Sequence, residues 1–338
     1  MAKRGQSGLC LVVGVDKPSG MTSHDVVSAC RRIFGEKRVG HTGTLDPLAS
    51  GVLPIAVGPA TRLDAYMTGH DKSYEVRIVF GAGTDTDDAD GRVVKTGEVP
   101  AEVFDPFFAE VVVKSFLGAQ KQLPPVYSAI KVNGAKACDE ARKGRIIDLA
   151  PRDIVVYDAR LLAINGRDDE CAPSWDVRFS VSAGTYIRAL ARDIGSKIGC
   201  PAHVGVLRRV KAGSVDISDC VTLETLAEIK ERAALDPLML LGYRFAYVEG
   251  ELAQRVACGN VLAASSLSLC ERRANSPQQQ MCACTSGVRE SCEAPEDGEI
   301  VSIVAENKLV ALYEYNRASA TYKARCVFQT GVDRGSSV

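Results

Sequence analysis

A single carboxylate, Asp46, stands inside the segment GHTGTLDPLASGVLP, Gly40 to Pro54. Pro47 behind it disfavours the helical region at Asp46 and leaves that residue extended. Gly43 and Gly51 on either side permit tight turns or the close approach of another group. Past Gly51 come Val52, Leu53, Ile55, Ala56 and Val57, the composition of a buried strand. A lone Asp on a rigid loop with a scaffold behind it suits a nucleophile or a base. A plain Asp-Pro turn that only reverses the chain is the alternative reading of the same dipeptide.

The elements that must hold such a loop can be read from periodicity. Leu9 to Val15 has the apolar run of a buried strand. Ser23-His24-Asp25 opens a helix whose apolar stripe is Val26, Val27, Ala29, Cys30 and Ile33, ending at Gly35. Strand-like runs follow at 74–80, 153–162 and 175–181, with partial alternation. Helical patterns fall at 101–111, 135–143, 185–198 and 223–235. Strands and helices interleave without the regular βα alternation of a doubly wound sheet, so the reading is a mixed α+β fold.

A chain of 338 residues suggests two domains, 1–245 and 246–338. Within the second, residues 263–298 are rich in Ser, Ala, Gln, Glu and Cys, lack periodicity and read as a low-complexity insert. Around it, apolar runs at 299–305, 309–315 and 322–330 predict a small β-barrel. No stretch of about 18 apolar residues predicts a membrane span. With no secretory pattern at MAKRGQSG, the twelve cysteines are expected as reduced thiols in the cytoplasm. Net charge is −1, but it is unevenly placed. Tyr186 to Lys211 carries six bases (Arg188, Arg192, Lys197, Arg208, Arg209, Lys211) against Asp193, enough to expect a local basic surface for a phosphate backbone.

Other constellations fail on spacing. The run DTDDADG, Asp85 to Gly91, lacks the first and twelfth ligands of a calcium loop and reads as a polar turn stiffened by side-chain hydrogen bonds. Cys270, Cys282, Cys284 and Cys292 contain no CxxC pair, so no zinc site is expected. GxxxxGK[ST], GxGxxG and HExxH are all absent.

Five segments in order carry a further signal: GHTGTLDPLASGVLP, DKSYEVRIVFGAGTDTDDADG, QLPPVYSAIKVNGAKA, GTYIRALARDIG and LRR. Together, over about residues 9–225, they resemble the TruB family of tRNA pseudouridine synthases. The resemblance implies a pseudouridine-synthase fold, a central mostly antiparallel mixed sheet flanked by helices, followed by a PUA-like C-terminal domain. It implies isomerisation of uridine 55 in the tRNA T loop by an enzyme without cofactor or metal, working as a monomer with tRNA as its partner. Asp46 is then the essential carboxylate, Arg188 its guanidinium partner and Tyr74 the ring that stacks on the target uracil. Tyr186 and Leu207 would wall the pocket, and His41 would fill the space left by the displaced nucleotide. Lys17 and Lys72 would contact phosphate or pocket, and residues 135–145 would form a flap over the RNA. Cys138 departs from the pattern, where an aromatic residue is expected. A non-catalytic RNA-binding or tRNA-folding protein using the same surface is the alternative.

Overall fold

The computed structural model describes residues 7–128, 130–132, 135–143, 148–166, 171–272, 288–290 and 293–335. Among them ten strands form one sheet whose main path runs Cys220–Val221, Leu11–Lys17, Ser50–Val57, Ala202–Ala212, Lys72–Phe80, Ser174–Val181, Arg152–Asn165, Gly118–Gln122. Most neighbours are antiparallel. The exception that matters joins Ser50–Val57 to Ala202–Ala212, parallel and in register at only two pairs, Arg208↔Ser50 and Arg209↔Gly51. The Asp46 loop enters the sheet at that short junction.

Alternation explains why the second and third strands of that path, Leu11–Lys17 and Ser50–Val57, read as continuous apolar runs. Leu11, Val13 and Val15 face one core together with Leu53, Ile55 and Val57. Cys10, Val12, Val52 and Ala56 face a second core with Leu238, Phe245, Leu309, Leu312, Phe328 and Val332. Side chains at odd and even positions leave opposite faces of a strand, so burial on both faces removes any polar alternation. The helices Ser23–Phe34, Pro106–Lys114 and Ile187–Ile198 cover the first face. The first of these carries a capping box of Thr22 and Asp25, starts at the expected Ser23 and is capped at the expected Gly35, in the left-handed region.

The second core is roofed by a second sheet. Among the described residues it runs Leu262–Ala263, Thr321–Asp333, Lys308–Asn316, Ile300–Ala305, Phe245–Tyr247, Cys270–Arg272, Val288–Glu290. It is an open, curled half-barrel rather than a closed one. The turn between Ile300–Ala305 and Lys308–Asn316 is made by Glu306 and Asn307, both at positive φ, as a tight hairpin requires. The expected insert at 263–298 needs correction at both ends. Leu269 is buried, Cys270 pairs with Phe245, and Cys270–Arg272 pairs with Val288–Glu290. A short strand supported only by cross-strand pairing leaves little periodic trace in sequence. Cys282, Cys284 and Cys292 lie outside the described residues. No helix of the described residues is long and apolar enough to cross a membrane.

Candidate active site

Asp46 begins a turn, its carbonyl accepting from the Ala49 N–H at 3.1 Å with Pro47 next in line. The turn reading and the site reading thus describe the same residue. Around it the loop is fixed almost wholly through its backbone. Ser23 Oγ accepts from the Leu45 N–H at 2.8 Å and donates to the Leu45 carbonyl at 2.9 Å. Gly20 N–H donates to the Pro47 carbonyl and Ser19 Oγ to that of Leu48. From the other side the Arg209 guanidinium donates to the carbonyls of Gly43, Thr44 and Val52 at 3.1, 3.3 and 2.7 Å. Gly51 is needed here: its φ is +102°, and a Cβ would stand 2.1 Å from the Arg209 carbonyl.

Lys17 is corrected by this geometry. It is fully buried, and its ammonium donates to the carbonyls of Pro18, Met21 and Pro47 at 2.9, 2.6 and 3.3 Å. Burial brings its pKa down to about 8, with Asp46 acting against that shift. It ties the chain before the first helix to the Asp46 loop and presents nothing to a phosphate.

A cleft of about 370 Å³ opens over the loop, lined by Asp46, Lys72, Tyr74, Tyr127, Tyr186, Arg188, Leu207 and Arg209 among others. Tyr74 and Leu207 come from adjacent antiparallel strands and are nearly buried. Lys72, at the start of the Tyr74 strand, donates to the Thr68 and His70 carbonyls, and burial lowers its pKa, Arg209 adding to the effect. The Tyr186 backbone is held by the buried Gln122 amide, which accepts from its N–H at 2.9 Å and donates to its carbonyl at 3.1 Å. His41 is placed elsewhere, on the short strand before the loop, its Nδ1 accepting from Gly43 N–H at 3.4 Å. It does not line the cleft, and burial lowers its pKa.

Arg188 sits in the first turn of the Ile187–Ile198 helix, 5% exposed. Its Nε is 2.9 Å from Asp46 Oδ2, close in distance but with the N–H not aligned on the oxygen. One terminal nitrogen lies 3.3 Å from Asp88 Oδ2 and donates to the Thr86 carbonyl at 2.8 Å. The other donates to the Tyr127 carbonyl at 3.0 Å. Arg188 is therefore shared between Asp46 and Asp88, with two carbonyls occupying its remaining donors. Asp46 is open towards the cleft, with 40% of its side chain exposed, and enclosed on its other sides. Burial raises its pKa above the ordinary 3.8; Arg188 opposes this and the Asp88 charge adds to it.

Asp88, Gln122, Tyr127 and Arg209 were not read as site residues. Asp88 belongs to the Asp85–Gly91 run, which is the stiff polar turn expected: Thr86 Oγ1 and the Asp90 N–H both donate to Asp88 Oδ1. The run's match to a motif was its signal. Arg209 could have been found by alternation, since it lies two residues from Leu207 on one strand and shares its face. The same alternation disperses the expected basic surface. Arg208 points away and binds Asp16 through both terminal nitrogens, at 3.1 and 2.7 Å, while Arg188 and Arg209 are interior. Lys197 donates to Ser115 Oγ. The flap at 135–145 is described only in part: a two-residue strand at Ala135–Lys136, a helix at Ala137–Arg142 and a turn at Lys143, with 144 and 145 outside the described residues. Among the described residues no His, Cys, Asp and Glu cluster has the makings of a metal site.

The N-terminal domain model of TruB family pseudouridylate synthases matches residues 31–187, and a tRNA pseudouridylate synthase B C-terminal domain model matches 188–240. A relative from Caldanaerobacter subterraneus subsp. tengcongensis, named tRNA pseudouridine synthase B, is 44% identical over 228 residues, 67% of this chain and 76% of the relative. The chain belongs to the TruB family of pseudouridylate synthases. Another relative of the same name, from Oceanobacillus iheyensis, is 41% identical over 66% of this chain and 73% of its own length. Among solved structures, an H/ACA RNP bound to a substrate RNA containing 2′-deoxyuridine aligns at a TM-score of 0.62 and 23% identity, covering 95% of this chain and 86% of that one. A Cbf5-Nop10-Gar1 complex aligns at 0.62 and 24%, over 97% and 87%. At those identities the likeness shows the fold, including the curled second sheet. This TruB-family chain is an enzyme that isomerises uridine to pseudouridine.

Proposed function

We propose that the chain isomerises uridine 55 in the T loop of tRNA, with Asp46 as the essential carboxylate. The observation that carries this reading is one carboxylate at the wall of a nucleoside-sized cleft, 2.9 Å from a buried guanidinium and lined alongside by Tyr74. The relatives named tRNA pseudouridine synthase B support the substrate.

Pseudouridine formation breaks the bond from ribose C1′ to uracil N1, turns the base and joins C1′ to C5. Positive charge develops at C1′ as the bond breaks, and a carboxylate nearby stabilises it, as in glycoside hydrolysis. The same oxygen can attack carbon or take the C2′ proton, and both routes need it ionised. Arg188 supplies the opposing charge that keeps it so in an enclosed site. Tyr74 offers a face for the uracil, a stack worth about 1–3 kcal/mol. Leu207 and Tyr186 would close the cleft against water, and Lys72, at the cleft wall, is the cation proposed for pocket or phosphate contact. A uridine stacked inside the folded loop must first be flipped out, at about a few kcal/mol. His41, at the base of the Asp46 loop, is the planar group proposed to fill the space it leaves.

The test is site-resolved mapping of pseudouridine after incubating the purified protein with unmodified tRNA and with an isolated T stem-loop. Pseudouridine at position 55 in both is the expected result. Formation at a different uridine, or none in either RNA, would overturn the reading.

A further inference from the structure

Two arginines four residues apart lie on one face of the Ile187–Ile198 helix, and they repeat the same pattern of contacts. Arg188 meets Asp88 and donates to the Tyr127 carbonyl. Arg192 meets Asp87, at 3.1 Å, and donates to the Leu123 carbonyl at 2.7 Å. The carboxylates are sequence neighbours, and the two carbonyls are four residues apart. Arg192 also contacts its own neighbour Asp193 at 3.0 Å. One helix face therefore clamps both the acid turn and the segment that leads to the flap.

We propose that Arg192 is a positioning residue for the Asp46–Arg188 pair, holding Asp87 and Leu123 so that Asp88 and the Tyr127 carbonyl stay aimed at Arg188. The proposal rests on Asp46 being the reacting carboxylate. Arg192 itself touches neither Asp46 nor the cleft, so it acts only through what it holds. Asp87 needs holding: its φ is +61°, a conformation that costs an L residue energy and persists when neighbours over-determine it. Its carbonyl accepts from the Val204 N–H, and Arg192 fixes its other end. Released from Arg192, the turn and the Leu123 segment could each drift, and Arg188 would lose the two partners that fix its plane.

The charged groups facing Asp46 are Arg188, Asp88 and Lys17. Those facing Asp87 are Arg192, Arg188 and Asp193. Loosening Arg188 removes part of what opposes burial at Asp46, so the Asp46 midpoint should rise. The experiment follows that midpoint by carboxyl-carbon NMR on the full chain labelled at aspartate, assigned by loss of one signal in Asp46→Asn. Wild type is compared with Arg192→Ala, Arg192→Lys and Asp87→Asn, the last cutting the same tie from its other end. Arg192→Ala and Arg192→Lys should both raise the midpoint by about half a pH unit or more, since a single ammonium cannot span Asp87 and Leu123. In parallel, kcat on the stem-loop should fall about ten-fold while its dissociation constant changes less than about two-fold. Return of the midpoint and kcat in Arg192→Lys would mean that bare charge suffices, and would overturn positioning. So would a fall in kcat with the midpoint unmoved, which marks a structural role alone. A wild-type protein inactive on the stem-loop would sink the proposed substrate, while the midpoint would still decide the role of Arg192.

Discussion

Asp46 and Asp88 share one guanidinium: Arg188 Nε lies 2.9 Å from the first, and a terminal nitrogen of the same side chain lies 3.3 Å from the second. One of these carboxylates opens on the cleft and the other is buried. The arrangement gives the exposed one a partner whose orientation is fixed by the hidden one.

Asp46→Asn should abolish turnover and leave stem-loop binding within about two-fold, since shape is kept and the ionisable oxygen is lost. Pseudouridine formation above about a hundredth of the normal rate would reject Asp46 as the reacting group. The variant should also be more stable than wild type at neutral pH. A carboxyl whose folded pKa is raised favours the fold only while protonated, and that contribution is lost as pH rises through the raised value. The advantage should therefore shrink as pH is lowered towards the ordinary 3.8, which a series of urea titrations from neutral pH downwards would show.

Asp88→Asn should move the acid limb of the kcat–pH profile to lower pH. Turnover needs ionised Asp46, so activity disappears as pH falls through its raised pKa, and the Asp88 charge is one cause of that rise. The amide that replaces the carboxylate can still accept from Arg188, so the guanidinium keeps its plane and the plateau should fall by less than about three-fold. A limb that stays in place, or moves to higher pH, would contradict the shared-guanidinium account.

Arg188→Lys should lose turnover by about a hundred-fold although the charge remains. An ammonium cannot meet Asp46, Asp88 and the Thr86 and Tyr127 carbonyls from one side chain. Single-turnover kinetics on the stem-loop measure this, and near-normal rates would place the chemistry elsewhere.

Arg209→Met should destabilise the fold by about 2–4 kcal/mol, as one buried and two part-buried carbonyls lose their donor together. Denaturant unfolding gives the value. A loss below about 1 kcal/mol would show that the loop is held by its other ties.

Replacing residues 273–287 with a short Gly-Ser bridge should leave stem-loop modification nearly unchanged. This cut spares the paired strands on either side of it, Cys270–Arg272 and Val288–Glu290. Loss of activity, or of zinc that the intact protein carries in stoichiometric amount, would give that segment a role.

The catalytic half was legible because its signals are local. Thr22–Asp25 and Gly35 punctuate a helix, alternation marks the Tyr74 strand, and Gly51 marks a close approach. Partners brought together across the sheet were harder to see. Asp88, Gln122 and Arg209 act through contacts spanning 64 to 166 residues of sequence, from Gln122 to Tyr186 up to Arg209 to Gly43. Nothing in a run of residues announces such a contact. Lys17 failed for the opposite reason: a lysine near a glycine-bracketed loop looks like a phosphate ligand until three carbonyls are seen around it. Charge counted along the chain likewise merged Arg208 and Arg209, which one step of alternation sends to opposite faces.

The strand Leu11–Lys17 is walled in on both sides, and its outer wall includes Phe328 and Val332 near the far end of the chain. The Asp333 N–H donates to the Cys10 carbonyl, so residues 323 positions apart close one seam. During synthesis, then, the strand Leu11–Lys17 must wait with one greasy side bare until Thr321–Asp333 has been made. A chain of such long-range closure folds slowly, and its half-made form is an obvious client for a chaperone at the ribosome.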